Sequence, residues 1–380
     1  MALQSSYPTL QQIADALEAW APPATAQSYD NVGLQVGHPD RVVQRALIAL
    51  DLTPAVVEEA QALGAELILT HHPLLFRPLR RLTPDGLVSA LALRLAEAGI
   101  ALYSLHTNVD AAPGGVSFAL AEHLGLQEIR FLEKLPQALY KLVTFVPASH
   151  VEPVREALAE AGAGRIGNYE ACAFASKGIG YFRPGDMARP FIGKPGQLES
   201  AEEVRLEVEV ARWDLPKVLK AMRAAHPYEE VAYDVYPVEQ PYTRAGWGAI
   251  GKLDPPQSLE AFLRHVATRL GVRSLRYVGD LGARIATVAV CGGAGGDLIA
   301  KALAAGADAY VTADLTYHRF FEVLGAEGKP RMALIDAGHY ETEVLFETRL
   351  QSWLQERFPS VAWHRTRLRT APVATFVAER

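Results

Sequence analysis

The hydrophobic positions of the first 127 residues fall into alternating helix and strand periods. Leu10, Ile13, Leu17 and Trp20 are spaced three, four and three apart behind Thr9, which predicts a capped amphipathic helix. Short apolar runs at 45–50, 66–70 and 100–105 read as buried strands, with helices at 54–63 and 87–98 between them. Such alternation with short connections predicts a mainly parallel sheet covered by helices. The pattern resumes after 247, with a helix at 258–270, strands at 284–290, 309–312 and 332–335, helices at 297–304 and 315–324, and a long last helix at 340–357.

From 128 to 246 the pattern differs. A strand at 141–146, a helix at 151–161, short strands across 169–183, an alternating half-exposed strand at 203–210, a helix at 215–225 and a strand at 231–238 follow one another. That is the β-α-β-β-α-β order of a ferredoxin-like unit. The expected fold class is therefore α/β: two similar α/β halves, 1–127 and 247–380, interrupted by a ferredoxin-like α+β inserted domain at 128–246.

Composition narrows the function classes. The 380 residues are 49% hydrophobic and 21% charged, too apolar for a disordered chain. A net charge of -6 argues against bulk nucleic-acid binding. Two cysteines, Cys172 and Cys291, make neither a disulfide framework nor a thiolate zinc site, and the cytosol is the natural compartment. Residues 1–8 carry no secretory pattern, and no apolar run is long enough for a membrane span.

Four polar groups fall at the carboxyl ends of expected strands: His71-His72, Asp110, Asp314 with His318, and His339 with Glu343. Open α/β sheets bind their ligands at that end, so groups far apart in sequence can converge there. His339 and Glu343 lie one helical turn apart and share a face. Mixed nitrogen and oxygen ligands suit zinc, iron, manganese, cobalt or nickel better than calcium, and bridging carboxylates would permit a two-metal hydrolytic site. Each residue also has a plainer reading. Glu343 can be a charge favoured by a helix N-terminus, and Asp110 a turn residue before Ala111-Ala112-Pro113-Gly114-Gly115. The loop holding Gly292, Gly293, Gly295 and Gly296 can offer backbone donors to a phosphate or simply turn tightly. Arg77, Arg80 and Arg81 can hold a phosphate or form a solvated surface, while Arg365, Arg367 and Arg369 alternate as if along an exposed strand face.

Several strings together resemble a known family. Ser28-Tyr29-Asp30-Asn31-Val32-Gly33-Leu34-Gln35-Val36-Gly37, Thr70-His71-His72-Pro73-Leu74-Leu75-Phe76 and His106-Thr107-Asn108-Val109-Asp110 are similar to its first three motifs. Thr312-Ala313-Asp314-Leu315-Thr316-Tyr317-His318 and Asp336-Ala337-Gly338-His339-Tyr340-Glu341-Thr342-Glu343 resemble the last two, with Ala313 where glycine is common. On these five ordered motifs the chain is identified as a member of the Nif-three-like family (YbgI/YqfO type), whose members carry the name GTP cyclohydrolase I type 2 homologue. The string from Ala225-His226-Pro227-Tyr228-Glu229-Glu230 to Pro237 resembles a signature of the PII/CutA-like insertion of longer members. His226 and Glu229 could bind a ligand there or serve packing and a trimer interface.

The resemblance implies a dinuclear centre of two divalent metal ions per chain, held by His71, His72, Asp110, His339 and Glu343. Asp314 and His318 are expected beside it, orienting ligands or substrate. It also implies a ring-shaped homohexamer, a dimer of trimers, with the metal sites facing an internal cavity. The implied activity is GTP ring opening with formate release, a metal-assisted hydrolysis of a small, nucleotide-like substrate. Arg77, Arg80, Arg81 and the 292–296 loop are then the phosphate candidates. Two other classes fit the same residues: a non-enzymatic metallochaperone or metal-insertion factor, and a ring-shaped nucleic-acid or protein scaffold. A hydrolase retains its metal and loses turnover on chelation, whereas a chaperone yields the metal to an acceptor.

Overall fold

A computed structural model describes residues 7–376. Most of the stretch read above for a secretory signal, residues 1–6, lies outside the described residues. The chain divides into two units, the inserted one covering Lys134–Arg244.

The larger unit holds two sheets. In the first, the strands lie in the order Gly33–Val36, Ala101–Ser104, Leu67–Thr70, Arg45–Ala49 and Ala362–Arg365. Only Gly33–Val36 runs antiparallel to its neighbour; the other pairs are parallel. Leu67–Thr70 and Ala101–Ser104 are buried at every position. Helices cover both faces of a parallel sheet, so its strands are apolar throughout instead of alternating. The preceding helix, Leu10–Trp20, starts at a capping box. Thr9 accepts from the Gln12 N–H, and the Gln12 side chain accepts from the Thr9 N–H.

The second sheet lies in the order Arg276–Val278, Ala333–Asp336, Ala309–Thr312, Arg284–Val290, Tyr242–Ser258 and Gln127–Leu135. Again the edge strand is antiparallel to its neighbour, and the next three are mutually parallel. Because Gln127–Leu135 belongs to this sheet, the core runs past residue 127 to Glu133 and resumes at Ala245.

Each half lends its end to the other. Helix Leu345–Arg357 and strand Ala362–Arg365 follow the second sheet, yet Phe346, Leu350, Leu354 and Trp363 pack into the first half's core with Leu10, Leu17, Leu67 and Tyr103. Conversely, Leu120 and Leu124, in and just after helix Val116–His123, pack into the second half's core with Phe262, Val288 and Val311. Neither half closes its core alone.

Three expectations need correction. The helix expected at 315–324 is a 3-10 segment, Tyr317–Val323. The single helix expected at 340–357 is two, His339–Glu343 and Leu345–Arg357, joined at Val344. The strand expected to carry Arg365, Arg367 and Arg369 ends at Arg365, and Arg369 instead pairs with Glu341.

The inserted unit has its own core. Its elements run β-α-β-β-α-β, and its antiparallel sheet has the order Ala173–Phe182, Glu199–Ala211, Leu139–Pro147 and Tyr233–Val238. Leu206, Val208 and Val210 face helices Val151–Glu160 and Leu215–Ala225, burying Val154, Leu158, Val218 and Met222. Between them Glu207 and Glu209 face away, and Glu209 pairs with Lys141 at 3.5 Å.

Candidate metal centre

His71 and His72 leave the end of strand Leu67–Thr70, where the Thr70 hydroxyl bonds Ser104 Oγ at 2.8 Å and donates to the His72 carbonyl at 2.9 Å. That turn brings both imidazoles to one side, their centroids 5.0 Å apart. His106 and the short helix Thr107–Asp110 follow the neighbouring strand. The helix His339–Glu343 follows the corresponding strand of the second half. The shared rule, side chains beyond the carboxyl ends of parallel strands, brings them all together.

Every histidine in the group is pinned from behind. His71 Nδ1 bonds the Leu105 carbonyl at 2.7 Å, His72 Nδ1 bonds Asp51 Oδ1 at 2.7 Å, and His339 Nδ1 bonds Asp314 Oδ2 at 2.7 Å. His106 Nδ1 bonds Asp30 Oδ1 at 2.8 Å. Carbonyls and carboxylates only accept, so each Nδ1 carries a proton, and each ring turns its Nε2 inward.

Those nitrogens meet. His72 Nε2 and His339 Nε2 are 3.3 Å apart. Glu343 Oε2 lies 3.1 Å from His72 Nε2 and 3.0 Å from His339 Nε2, while its Oε1 lies 3.7 Å from His71 Nε2. Asp110 Oδ1 is 3.8 Å from His71 Nε2. The buried His71 Nε2 and Glu343 Oε2 have no hydrogen-bond partner. Buried acceptors facing one another without donors are costly, and a cation satisfies them together. Two groups have the spacing to hold an ion: His71, His72 and His106, and His72, His339 and Glu343.

The electrostatics agree. Burial pushes the Asp110 carboxyl well above its ordinary value, and the Glu343 charge adds to this. Burial would raise Glu343 too, but the surrounding imidazoles of His71, His339 and His72 hold it well below the usual carboxylate range. Burial lowers His71, against the opposing effect of Glu343. For His72, burial is outweighed by Asp51 and Glu343, which raise it to about 10. The hydrogen bond to Glu343 raises His339 to about 9, against burial and with help from Asp314. These two rings take up protons where a stronger cation is absent.

A family model described as Duf34/NIF3 (NGG1p interacting factor 3) matches residues 8–372. The chain belongs to the Duf34/NIF3 family. It is 42% identical to a GTP cyclohydrolase 1 type 2 homolog of Halalkalibacterium halodurans, over 88% of this chain and 89% of that protein. The relative of that name in Bacillus subtilis is 40% identical, over 89% and 90%. Among solved structures, a Bacillus cereus protein related to NIF3 superposes with a TM-score of 0.82 at 40% identity, covering 97% of this chain and all of the other.

Within this Duf34/NIF3 chain, Asp314 stands behind His339, one of the places expected for it. His318 does not: it is exposed beside Tyr317 and Phe321, because the 3-10 segment turns it outward. The glycine loop is not a phosphate cradle at three of its four positions. The Gly292, Gly293 and Gly295 N–H groups already donate to Ser117, Thr342 and Thr312 hydroxyls. Its role is space: a Cβ on Gly293 would lie 2.1 Å from Glu343 Oε1, and its φ of +62° favours glycine. Gly296 faces the Arg319 side chain. Arg81 pairs with exposed Asp85 at 3.3 Å, and no hydrogen bond or ion pair among the described residues joins Arg77, Arg80 or Arg81 to the histidines.

His226 has both ring nitrogens engaged, on the Phe145 carbonyl and the Tyr228 N–H, and Glu229 accepts from the Arg189 N–H. His226 is buried in the inserted unit, whereas Glu229 is exposed. A cavity of about 660 Å³ in that unit is lined by Phe145, Phe182, Phe191 and Tyr228.

Three residues escaped the sequence reading as site residues: His106, Asp30 and Asp51. His106 and Asp30 stand inside two of the strings that resemble the family. Asp51 follows strand Arg45–Ala49, so the strand-end rule that found the others was available for it.

Proposed function

We propose that this chain is a divalent-metal-dependent hydrolase with a dinuclear centre, acting on a nucleotide-like or other small heterocyclic substrate. The observation that supports it is the meeting of His71, His72, His339 and Glu343 lone pairs with each ring pinned behind. His71, His72, Asp110, His339 and Glu343 would hold two ions, and the two oxygens of Glu343 face different histidines. Zinc, iron, manganese, cobalt or nickel suits such donors. When bound, such ions supply Lewis acidity and lower the pKa of water towards neutrality.

The chain's own groups do the rest. Asp51 and Asp314 fix the tautomers of His72 and His339. Asp30, brought to about 2 by His106 and Thr107 against the opposing effect of burial, fixes His106 at the rim. There the His106 Nε2 is placed to move a proton. Phe76 stands edge-on to His106 at 6.2 Å and to Tyr29 at 6.2 Å, offering a flat apolar wall to a heterocycle. Arg77 and Arg80, just beyond Phe76, are the cations available to a phosphate.

The named version follows the relatives called GTP cyclohydrolase 1 type 2 homologs. Hydrolysis of the guanine imidazole ring of GTP would release its C8 as formate. A metal-delivery role is the second reading, favoured by the 36% exposure of the His339 side chain. The ring-shaped homohexamer belongs to the same reading, and light scattering at six times the 41.3 kDa chain mass would support it.

The test is metal content per chain by elemental mass spectrometry on untagged protein purified without chelator, beside formate release from GTP. Near two metals, with formate release lost on chelation, supports the hydrolase. Near two metals that pass to an acceptor protein without formate release favours delivery. No metal even after reloading sinks both.

A further inference from the structure

The chain beyond the last strand runs back towards the histidines. Thr366 starts it, its N–H on the Ile48 carbonyl at 2.8 Å and its hydroxyl on Glu59 Oε2 at 2.5 Å. The Arg367 N–H adds a second bond to Glu59, at 3.0 Å. The Arg369 guanidinium pairs with Glu341 and lies 4.5 Å over the Tyr340 ring. Glu341 and Tyr340 belong to the short helix that carries His339 and Glu343. Thr370, 7% exposed, donates its hydroxyl to Asp51 Oδ2 at 2.6 Å, while Asp51 Oδ1 holds His72 Nδ1 at 2.7 Å.

Residues 366–370 therefore reach both sides of the cluster without presenting a ligand atom to it. We infer that Thr370 is a positioning residue for the metal centre, acting through Asp51 on His72. The segment 366–370 is a strap that ties the two sides of that centre together. This rests on the metal reading above.

The physical reason lies in the carboxylate. An Asp held only by one imidazole can rotate about χ2, and its second oxygen, half-buried, lacks a donor. The Thr370 hydroxyl fills that oxygen and fixes the carboxylate plane. The Asp51–His72 bond then keeps the His72 Nε2 lone pair aimed inward and basic. Linkage makes the coupling reciprocal: if the strap favours cation binding, cation binding favours the ordered strap.

The test titrates zinc against a chromophoric chelator in the full chain, comparing wild type, Thr370→Val, Thr370→Ser, Asp51→Asn and the Thr370→Val/Asp51→Asn double variant. Valine keeps the shape and removes the hydroxyl. The expected result is about a tenfold loss of zinc affinity in Thr370→Val, wild-type affinity in Thr370→Ser, and no further loss from Thr370→Val once Asp51 is Asn. Hydrogen exchange of residues 366–370 should slow on zinc addition in wild type and not in Thr370→Val. Wild-type zinc affinity in a folded Thr370→Val protein overturns the proposal. So do losses that simply add in the double variant, since they would mean Thr370 does not act through Asp51. A wild-type protein that takes up no zinc overturns the metal reading instead, and the strap with it.

Discussion

The two halves of the core share a backbone plan and place different residues at its strand ends. In each, a helix leads into an antiparallel edge strand and then three parallel strands, and these four strands take the same order in the two sheets; beyond them the first sheet adds one strand and the second adds two. After the second of those parallel strands the first half places His71 and His72, and the second half places Ala313 and Asp314. After the first of them the first half has Asp51, which pins His72, while the second half has Gly292 and Gly293, which leave room for Glu343 and His339. After the third, both turn into a short helix, one ending at Asp110 and the other running from His339 to Glu343. The plan sets where side chains can meet; the residue at each strand end decides whether that position binds, supports or makes way.

The strongest way to break this comparison is to remove the second half's contribution. His339→Ala/Glu343→Ala should reduce metal content from near two per chain to near none, read by elemental mass spectrometry. A double variant retaining one tightly held metal would show that the first half binds alone through His71, His72 and His106.

The exchange of ends between the halves is next. Leu350 comes from the second half's last helix but packs in the first half's core. Leu350→Ala should cost about 2–5 kcal/mol in denaturant unfolding. A cost under about 1 kcal/mol would mean the exchanged helix contributes little to that core.

The supporting carboxylates sharpen the comparison within the centre. Asp51→Asn and Asp314→Asn should each lower metal affinity about 10- to 100-fold by chelator competition. Asp51 should matter more, because Thr370 holds its second oxygen and 56% of the Asp314 side chain is exposed. Equal losses would remove that asymmetry.

Gly293→Ala should destabilise the protein by about 1–2 kcal/mol from its left-handed φ and, by displacing Glu343, also weaken metal binding. Gly125→Ala is the control: it too has positive φ, but with nothing within 4 Å of its Cβ position. It should lose stability alone. Metal loss in both variants would refute a steric role for Gly293.

The smallest effect concerns Glu347, one turn beyond Glu343. Burial raises its carboxyl to about 7; the Leu50 N–H and Arg365 act against this, and Asp51 and Glu59 reinforce it. A carboxyl raised on folding favours the folded state fully below its unfolded value near 4.5, and that contribution is lost as pH rises through about 7. Glu347→Gln should therefore raise the Tm at pH 8 by a few degrees and leave it unchanged at pH 4. No difference between the two pH values would place Glu347 in a more polar setting than its burial implies.

Much of this was legible along the chain. Thr9 with its three-four-three apolar spacing marked the first helix, and the short apolar runs at 45–50, 66–70 and 100–105 marked buried strands, found at Arg45–Ala49, Leu67–Thr70 and Ala101–Ser104. His339 and Glu343 were legible as a pair because helical spacing alone puts them on one face. His318 misled because its expected helix is a tighter 3-10 segment, in which the same spacing points elsewhere. The glycine loop was harder to read because composition shows where a backbone can approach something and does not say what: at Gly293 it is Glu343.

Local periods, caps and strand-end polarity are properties of neighbouring residues, so the sequence by itself determined the elements and most of the residues at their ends. It could not determine which lone pairs meet. The 3.3 Å approach of His72 to His339 spans 267 residues, and the bond from Thr370 to Asp51 spans 319. Those distances depend on two sheets exchanging their end helices and strands, a packing choice driven by burial of side chains such as Leu350 and Leu124. Only the tertiary structure settles that choice, because hydrophobic burial is non-directional and no local pattern records which core a helix will enter.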